Sequence, residues 1–233
     1  VGREGATASV RGGQVLRAAR VDVPADISSA AFFLVAAAIC PGSDLVLRHV
    51  GMNPTRTGVL HVLRAMGADI TESNPQLVGG EPVADLHVRG GRLKGITIDP
   101  AWVPLAIDEF PALFIAAACA EGVTELRGAE ELRVKESDRI QVMADGLAAV
   151  GLPVTVLPDG MRIEGRGGEA HPFAGGTVEA HGDHRIAMSF TVAALRSGGP
   201  IHIRDTANVA TSFPGFVALA RSVGLDVSVA KGD

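Results

Sequence analysis

Two kinds of apolar segment alternate along the chain. The first kind is apolar almost all round, as in AAFFLVAAAI (30–39), FPALFIAAAC (110–119) and IAMSFTVAAL (186–195). Such segments predict buried helices. The second kind carries a single apolar stripe. Val59, Val62, Leu63 and Met66 are spaced i, i+3, i+4, i+7, and Phe216, Leu219, Ala220 and Val223 repeat that spacing. Met143, Leu147 and Val150 do so again, with Gly146 in the remaining slot. These predict one-sided helices nearer the surface. Each stripe stops at a glycine (Gly67, Gly151, Gly224), a C-terminal stop signal.

The two kinds alternate in register, which makes an internal repeat. Counting from Asp26, Asp108 and Asp183, the small pairs Ala36-Ala37, Ala118-Cys119 and Ala193-Ala194 stand at one common offset. Turn signals follow at Pro41-Gly42, Glu121-Gly122 and Gly198-Gly199, and then short β-type runs at Leu45-Val46-Leu47, 123–126 and 201–203. After each striped helix another strand is predicted, at 69–71, 154–156 and 227–229. Units one and two offer a further strand, near 86–88 or 96–98 and at 161–163. The fold class is therefore α/β, with three repeated units over about 26–100, 104–166 and 178–233 forming one domain over 23–233. Residues 1–22 fall outside the repeat. Gly12-Gly13 and an alternating stretch over 15–23 read as a strand and a linker, the end of a preceding domain. Unit three stops after one closing strand, which leaves a sheet edge to be completed by other chain. The chain begins at Val1 without an initiator Met, which reads as a piece of a longer protein.

Composition narrows the function classes. Net charge is −5, aromatics make up 4% of residues and tyrosine is absent, so a basic, stacking nucleic-acid surface is not expected. No apolar run approaches the roughly 18 residues of a membrane span. Cys40 and Cys119 each end an Ala-rich stretch, where cysteine behaves as a small packing residue; the usage fits a reducing, cytoplasmic setting. No metal-ligand spacing is present.

Candidate chemistry gathers at helix starts. Asp26 with Ser28, Asp108 and Asp183 each open a first helix, and capping is their ordinary use. Helix N-termini brought together by a repeat would also make a positive field suited to phosphate or carboxylate. The densest charged cluster, residues 133–139 (RVKESDR), is placed at the start of the second helix of unit two. Lys135 and Arg139 are then i, i+4 on one face, and Glu136 and Arg139 are i, i+3. Two cations in a first turn oppose the helix dipole, which invites an anion. In unit three, Asp183-His184-Arg185 offers a cap, a candidate general acid or base, and a guanidinium for bidentate contact to an anion.

RVKESDRI (133–140), GDHRIAM (182–188), the Asp-Glu-x-Pro stretch at Asp108, SFPGF (212–216), DISSAAFFLVAAAI and NPTRTG (53–58) together resemble the 5-enolpyruvylshikimate-3-phosphate (EPSP) synthase family, over essentially the whole chain. The resemblance implies two similar domains, each of three βαβαββ-type units in an inside-out α/β barrel, the enolpyruvyl transferase fold. This chain would be the C-terminal half. It implies transfer of the enolpyruvyl group of phosphoenolpyruvate to the 5-hydroxyl of shikimate 3-phosphate, with phosphate released, and no metal or organic cofactor. Asp108 then resembles the carboxylate that holds the substrate hydroxyls and takes a proton. Glu136 resembles the acid exchanging a proton with the phosphoenolpyruvate methylene, and Lys135 a residue between the two. Arg139 and Arg185 resemble the cations gripping phosphoenolpyruvate, with His184, Asp183 and Asp26 beside them in the substrate-binding set. The partner implied is the N-terminal half, so the chain alone is expected to be inactive. The sequence departs from some members in carrying Thr211 where they have lysine two residues before Phe-Pro. Two alternatives stay open: a UDP-sugar enolpyruvyl transferase, and a non-catalytic binding or assembly module of the same fold.

Overall fold

The computed structural model describes residues 1–230, apart from residues 6 and 16. Strands β1 (Gly2–Glu4) and β2 (Thr7–Ser9) form an antiparallel hairpin that is exposed throughout. The described residues of 10–24 form no strand or helix, so the strand predicted over 15–23 is not seen, residue 16 lying outside the described set.

The repeat then appears as a recurring topology. Unit one runs α1 (Ile27–Ile39), β3 (Asp44–Gly51), α2 (Gly58–Ala65), β4 (Asp69–Val78) and β5 (Glu81–Arg89). Its sheet order is β3-β5-β4, all antiparallel, and Ala25 bridges in parallel to Val50. Unit two adds β6 (Leu93–Lys94), α3 (Phe110–Ala118), β7 (Ala120–Leu126), α4 (Arg139–Ala149), β8 (Thr155–Leu157) and β9 (Gly160–Arg166). Here β7-β9-β8 reproduces the antiparallel order of unit one, and β6 lies parallel to β7. Unit three has β10 (Gly176–Glu179), α5 (His184–Ala193), β11 (Ile201–Arg204), α6 (Ala207–Ser212) and α7 (Phe216–Ser222), with β10 parallel to β11. Each first helix is thus a crossover between a short leading strand and a parallel partner. Residues 227–229 form no strand, contrary to the prediction, because no neighbouring strand is there to pair with them among the described residues. Residues 231–233 lie outside the described set.

The three crossover helices pack on one another and form the core. Every residue of α3 is buried, as is all of α1 except Ser29. That is the physical reason these helices carry no polar face. The striped helices close over them, Val59, Val62, Leu63 and Met66 being at most 1% exposed. Each glycine stop has positive φ (91°, 89° and 98° at Gly67, Gly151 and Gly224). Each also makes the same pair of bonds, the second being Ala68 N–H to Leu63, Leu152 N–H to Leu147 and Leu225 N–H to Ala220 carbonyls. Gly146 breaks the α4 stripe for packing: a Cβ there would stand against the ring of Phe190 on α5. The α7 stripe is only half covered. Phe216 and Ala220 are buried, while Leu219 and Val223 are 43% and 38% exposed.

Candidate active site

The N-terminal ends of the three crossover helices meet at one end of the domain, joined by the loops that lead into α2 and α4. The contacts that define this convergence cross all three units. Ser28 of α1 reaches Glu109 before α3, Asp108 reaches Arg139 at the start of α4, and Arg185 on α5 reaches the main chain of Asp108. A cavity of about 70 Å³ opens beside them, lined in part by Asp26, Ser28, Ser29, His184, Arg185 and Ser212. Asp26 and Asp183 are true caps. Asp26 accepts from Ser28 and Ser29 N–H (3.2 and 3.0 Å), and Asp183 from Arg185 N–H (2.9 Å). Asp108 is not: α3 starts two residues later, without a side-chain cap bond. Its carboxylate is left free to face the charged cluster.

Arg139 organises that cluster. Its side chain is 2% exposed, and its Nε donates to Asp183 Oδ2 (2.8 Å), Nη1 to Asp108 Oδ1 (3.2 Å), and Nη2 to Glu136 Oε2 (2.7 Å) and Asp183 Oδ1 (3.4 Å). A buried guanidinium at a helix N-terminus is doubly unfavourable, through desolvation and the dipole, unless carboxylates surround it. Three do so here. Burial by itself pushes Arg139 toward losing its proton, but the hydrogen bonds and charge of Asp183, then Glu136 and Asp108, outweigh it and raise its pKa. A guanidinium has five N–H donors, so these four bonds leave one Nη1 N–H for a ligand.

The helix itself begins at Arg139, capped by Asp138, whose side chain accepts from Gln141 N–H (3.1 Å). The expectation that Lys135 and Glu136 share a helical face with Arg139 is therefore corrected. Residues 130–134 form a 3-10 turn, Lys135 is extended, and both side chains come off the loop. They still converge. Lys135 Nζ lies 3.7 Å from Asp108 Oδ1, and it also pairs with Glu131. Arg185 Nη1 donates to the Asp108 carbonyl (2.9 Å), and its Nη2 is 4.0 Å from Asp108 Oδ2. Burial works against the charge on Asp108, but Arg185, Lys135 and Arg139 together hold its carboxyl below the ordinary range. The same balance holds for Asp183, where burial is outweighed by Arg139. Asp108 is thus an ionised, partly exposed carboxylate among three cations, able to accept a hydrogen bond from a ligand hydroxyl.

His184 Nδ1 lies 3.1 Å from Glu136 Oε2. Burial lowers its pKa, with the pull of Glu136 opposing and Arg185 adding to the depression. Among the described residues, Glu136, Asp183 and His184 are close enough to share an ion. The Arg139 guanidinium already donates to both of these carboxylates.

Two participants were not assigned from sequence. Glu109, 4% exposed, accepts from Ser28 Oγ (2.5 Å) and lies 3.7 Å from Arg185 Nη1. Arg56 Nη2 donates to Ser28 Oγ (2.6 Å) and stands 3.9 Å from Asp26. An acid beside Asp108 and an arginine within NPTRTG were the visible signals. SFPGF has a packing role: Phe213 and Phe216 sit on Phe33 at ring-centroid distances of 6.2 and 5.9 Å. Thr211 is exposed at the end of α6.

The family model described as EPSP synthase (3-phosphoshikimate 1-carboxyvinyltransferase) matches residues 2–219. A 3-phosphoshikimate 1-carboxyvinyltransferase of Methylococcus capsulatus is 64% identical, covering 98% of this chain and 51% of that protein. One from Alkalilimnicola ehrlichii is 62% identical, covering 100% and 51%. The solved EPSP synthase of Acinetobacter baumannii superposes with a TM-score of 0.92 at 56% identity, covering 97% of this chain and 54% of that one. The enolpyruvyl transferase NikO of Streptomyces tendae, at 20% identity and a TM-score of 0.65, shares the fold. The chain spans about half the length of the curated relatives it matches. With the family model matching residues 2–219 and relatives 64% and 62% identical along 98% and 100% of its length, the chain belongs to the EPSP synthase (3-phosphoshikimate 1-carboxyvinyltransferase) family.

Proposed function

We propose that this chain supplies one wall of a site that transfers the enolpyruvyl group of phosphoenolpyruvate to the 5-hydroxyl of shikimate 3-phosphate. The observation that carries this reading is the single guanidinium of Arg139 holding Asp108 and Glu136 on either side, with Lys135 and Arg185 alongside. The chemistry needs two proton-transfer carboxylates and compensation for two anions. Asp108 takes the hydroxyl proton as the oxygen adds to C2. Glu136 places a proton on the methylene carbon and recovers it as the C–O bond to phosphate breaks, and the proton held by Asp108 passes to the departing phosphate. Lys135 and Arg185 meet the phosphate and carboxylate charges, and His184, 3.1 Å from Glu136, sets that acid's orientation. Arg139 orients both carboxylates and offers its remaining N–H to the ligand, a narrower part than the gripping role first read for it. Asp183 holds Arg139, and Asp26 holds Ser28 and Ser29 beside the cavity.

The second wall is the remaining half of the length seen in the relatives, and closure of one half on the other would exclude water. Residues 23–233 are read as one domain, and segment 1–22 as the end of the domain that carries that second wall. No helix among the described residues is long and apolar enough to cross a membrane. Free Cys40 and Cys119 support a cytoplasmic setting. The test is to mix this chain with a matching N-terminal half and assay phosphate release. Release that requires both halves and both substrates is expected. Release by this chain alone, or none from the folded pair, contradicts the reading.

A further inference from the structure

Glu109 has no ordinary structural use. It is 4% exposed, so it is not a solvated surface acid, and its side chain makes no cap bond to α3. Every residue that follows it in α3 is apolar and buried, so an apolar side chain would pack in its place at lower cost than a carboxylate. Burial is the leading influence on its carboxyl and raises its pKa, which makes retention of the acid here costlier still. What the carboxylate does have is partners from the other two units. Ser28, 2% exposed, donates to it, and Arg185 Nη1 faces the same oxygen at 3.7 Å.

Ser28 fixes the direction of the chain. A hydroxyl has one proton and two lone pairs. Ser28 gives its proton to Glu109 and accepts from Arg56 Nη2 at 2.6 Å. The Arg56 side chain is 51% exposed and that of Arg185 is 14% exposed. One buried acid therefore connects two cations at the mouth of the convergent site, one through a serine from unit one and one directly from unit three.

We propose that Glu109 is a positioning residue. Through Ser28 it places Arg56, and directly it places Arg185, setting the spacing of two cations that meet an anionic substrate. The substrate part of this rests on the transferase reading; the positioning part does not. Arg56 thereby joins the ligand-facing cations.

The test uses Glu109→Gln and Ser28→Ala, singly and together, in this chain. The first readout is the 15N–1H resonances of the Arg185 and Arg56 guanidinium groups in the chain alone. The second is kcat and KM for phosphoenolpyruvate after complementation with an N-terminal half. Glu109→Gln is expected to shift or broaden the Arg185 signals, and both single variants those of Arg56. Each should raise KM roughly tenfold or more, the effect of losing a charge-assisted bond, with kcat moved less. The double variant should be no worse than the worse single one, because both cut the same chain. Glu109→Asp should recover part of the loss. Gly146→Ala, which strains packing against Phe190 and touches neither Glu109 nor Ser28, should lower stability and leave KM unchanged. Arg185 signals identical to wild type in Glu109→Gln, or Arg56 signals identical to wild type in Ser28→Ala, overturn the proposal, as do strictly additive effects on KM. Signals that move while KM stays constant keep the positioning and instead remove Arg185 from the substrate site, which separates the two failures. If Glu109→Gln fails to fold, Ser28→Ala tests the Arg56 branch and Glu109→Asp the Arg185 branch.

Discussion

Asp183→Asn isolates the link between the buried hub and the fold. Asp183 is fully buried, and its two oxygens accept four donors. Oδ2 takes Arg139 Nε and Ser137 Oγ, and Oδ1 takes Arg185 N–H and Arg139 Nη2. Asparagine keeps the shape but brings an NH2 group that must replace one of those oxygens. In either orientation the NH2 faces N–H donors, the Arg139 Nε–H on one side or the Arg185 N–H on the other. The Arg139 guanidinium also loses its most buried counter-charge. Breaking one member of a buried pair costs about 3–5 kcal/mol. A domain of this kind is stable by only about 5–15 kcal/mol, so the loss is a large share. Urea unfolding of wild type and Asp183→Asn, followed by circular dichroism, reads it as a fall in the midpoint with an unchanged slope. A loss below about 1 kcal/mol would refute the reasoning, because it would mean Arg139 does not depend on Asp183.

Stability should fall in acid. Asp108 and Asp183 both have folded pKa values below their unfolded values. Their contribution is therefore fully present above an unfolded pKa of about 3.9 and is lost as pH falls through the folded values. Urea midpoints should drop below about pH 4, and less steeply in Asp183→Asn. Glu109 acts in the opposite sense, since burial raises its carboxyl and its cost appears as pH rises past its unfolded value. Burial pushes the Cys119 thiol up to about 12, so alkylation at pH 8 should leave it unmodified in the native chain and label it in urea; rapid native labelling would contradict the packing. Gly146→Ala should cost about 1–3 kcal/mol by overpacking against Phe190, despite the better helix propensity of alanine, and a stabilised variant would show that α4 and α5 have room to separate.

The helices and their ends were legible because each signal is local. Apolar periodicity placed α1, α3 and α5 inside, and Gly67, Gly151 and Gly224 marked stops whose bonds involve only nearby residues. The leading strands were not, since Ala25 makes a single bridge and β6 has two residues. Their pairing is set by the crossover helix and not by their own side chains. The segment 227–229 has strand-like composition but no pairing neighbour among the described residues, and composition alone does not make a strand. In the site, the charge density of residues 133–139 stood out, yet Lys135 and Glu136 were placed on a helix that Asp138 starts too late to include. Arg139 as hub, and Ser28 with Glu109, depend on contacts between units, 44 and 81 residues apart in sequence. No local pattern encodes those.

The central claim is that Glu136 moves a proton at the phosphoenolpyruvate methylene while Arg139 holds it in place. The direct measurement is deuterium incorporation into that methylene, in D2O, by this chain complemented with an N-terminal half and shikimate 3-phosphate. The wild-type pair should exchange the methylene hydrogens. Glu136→Gln in a folded pair should slow exchange by about 100-fold or more. Exchange by Glu136→Gln within about threefold of wild type, far short of what loss of a proton-transfer group costs, would contradict the account.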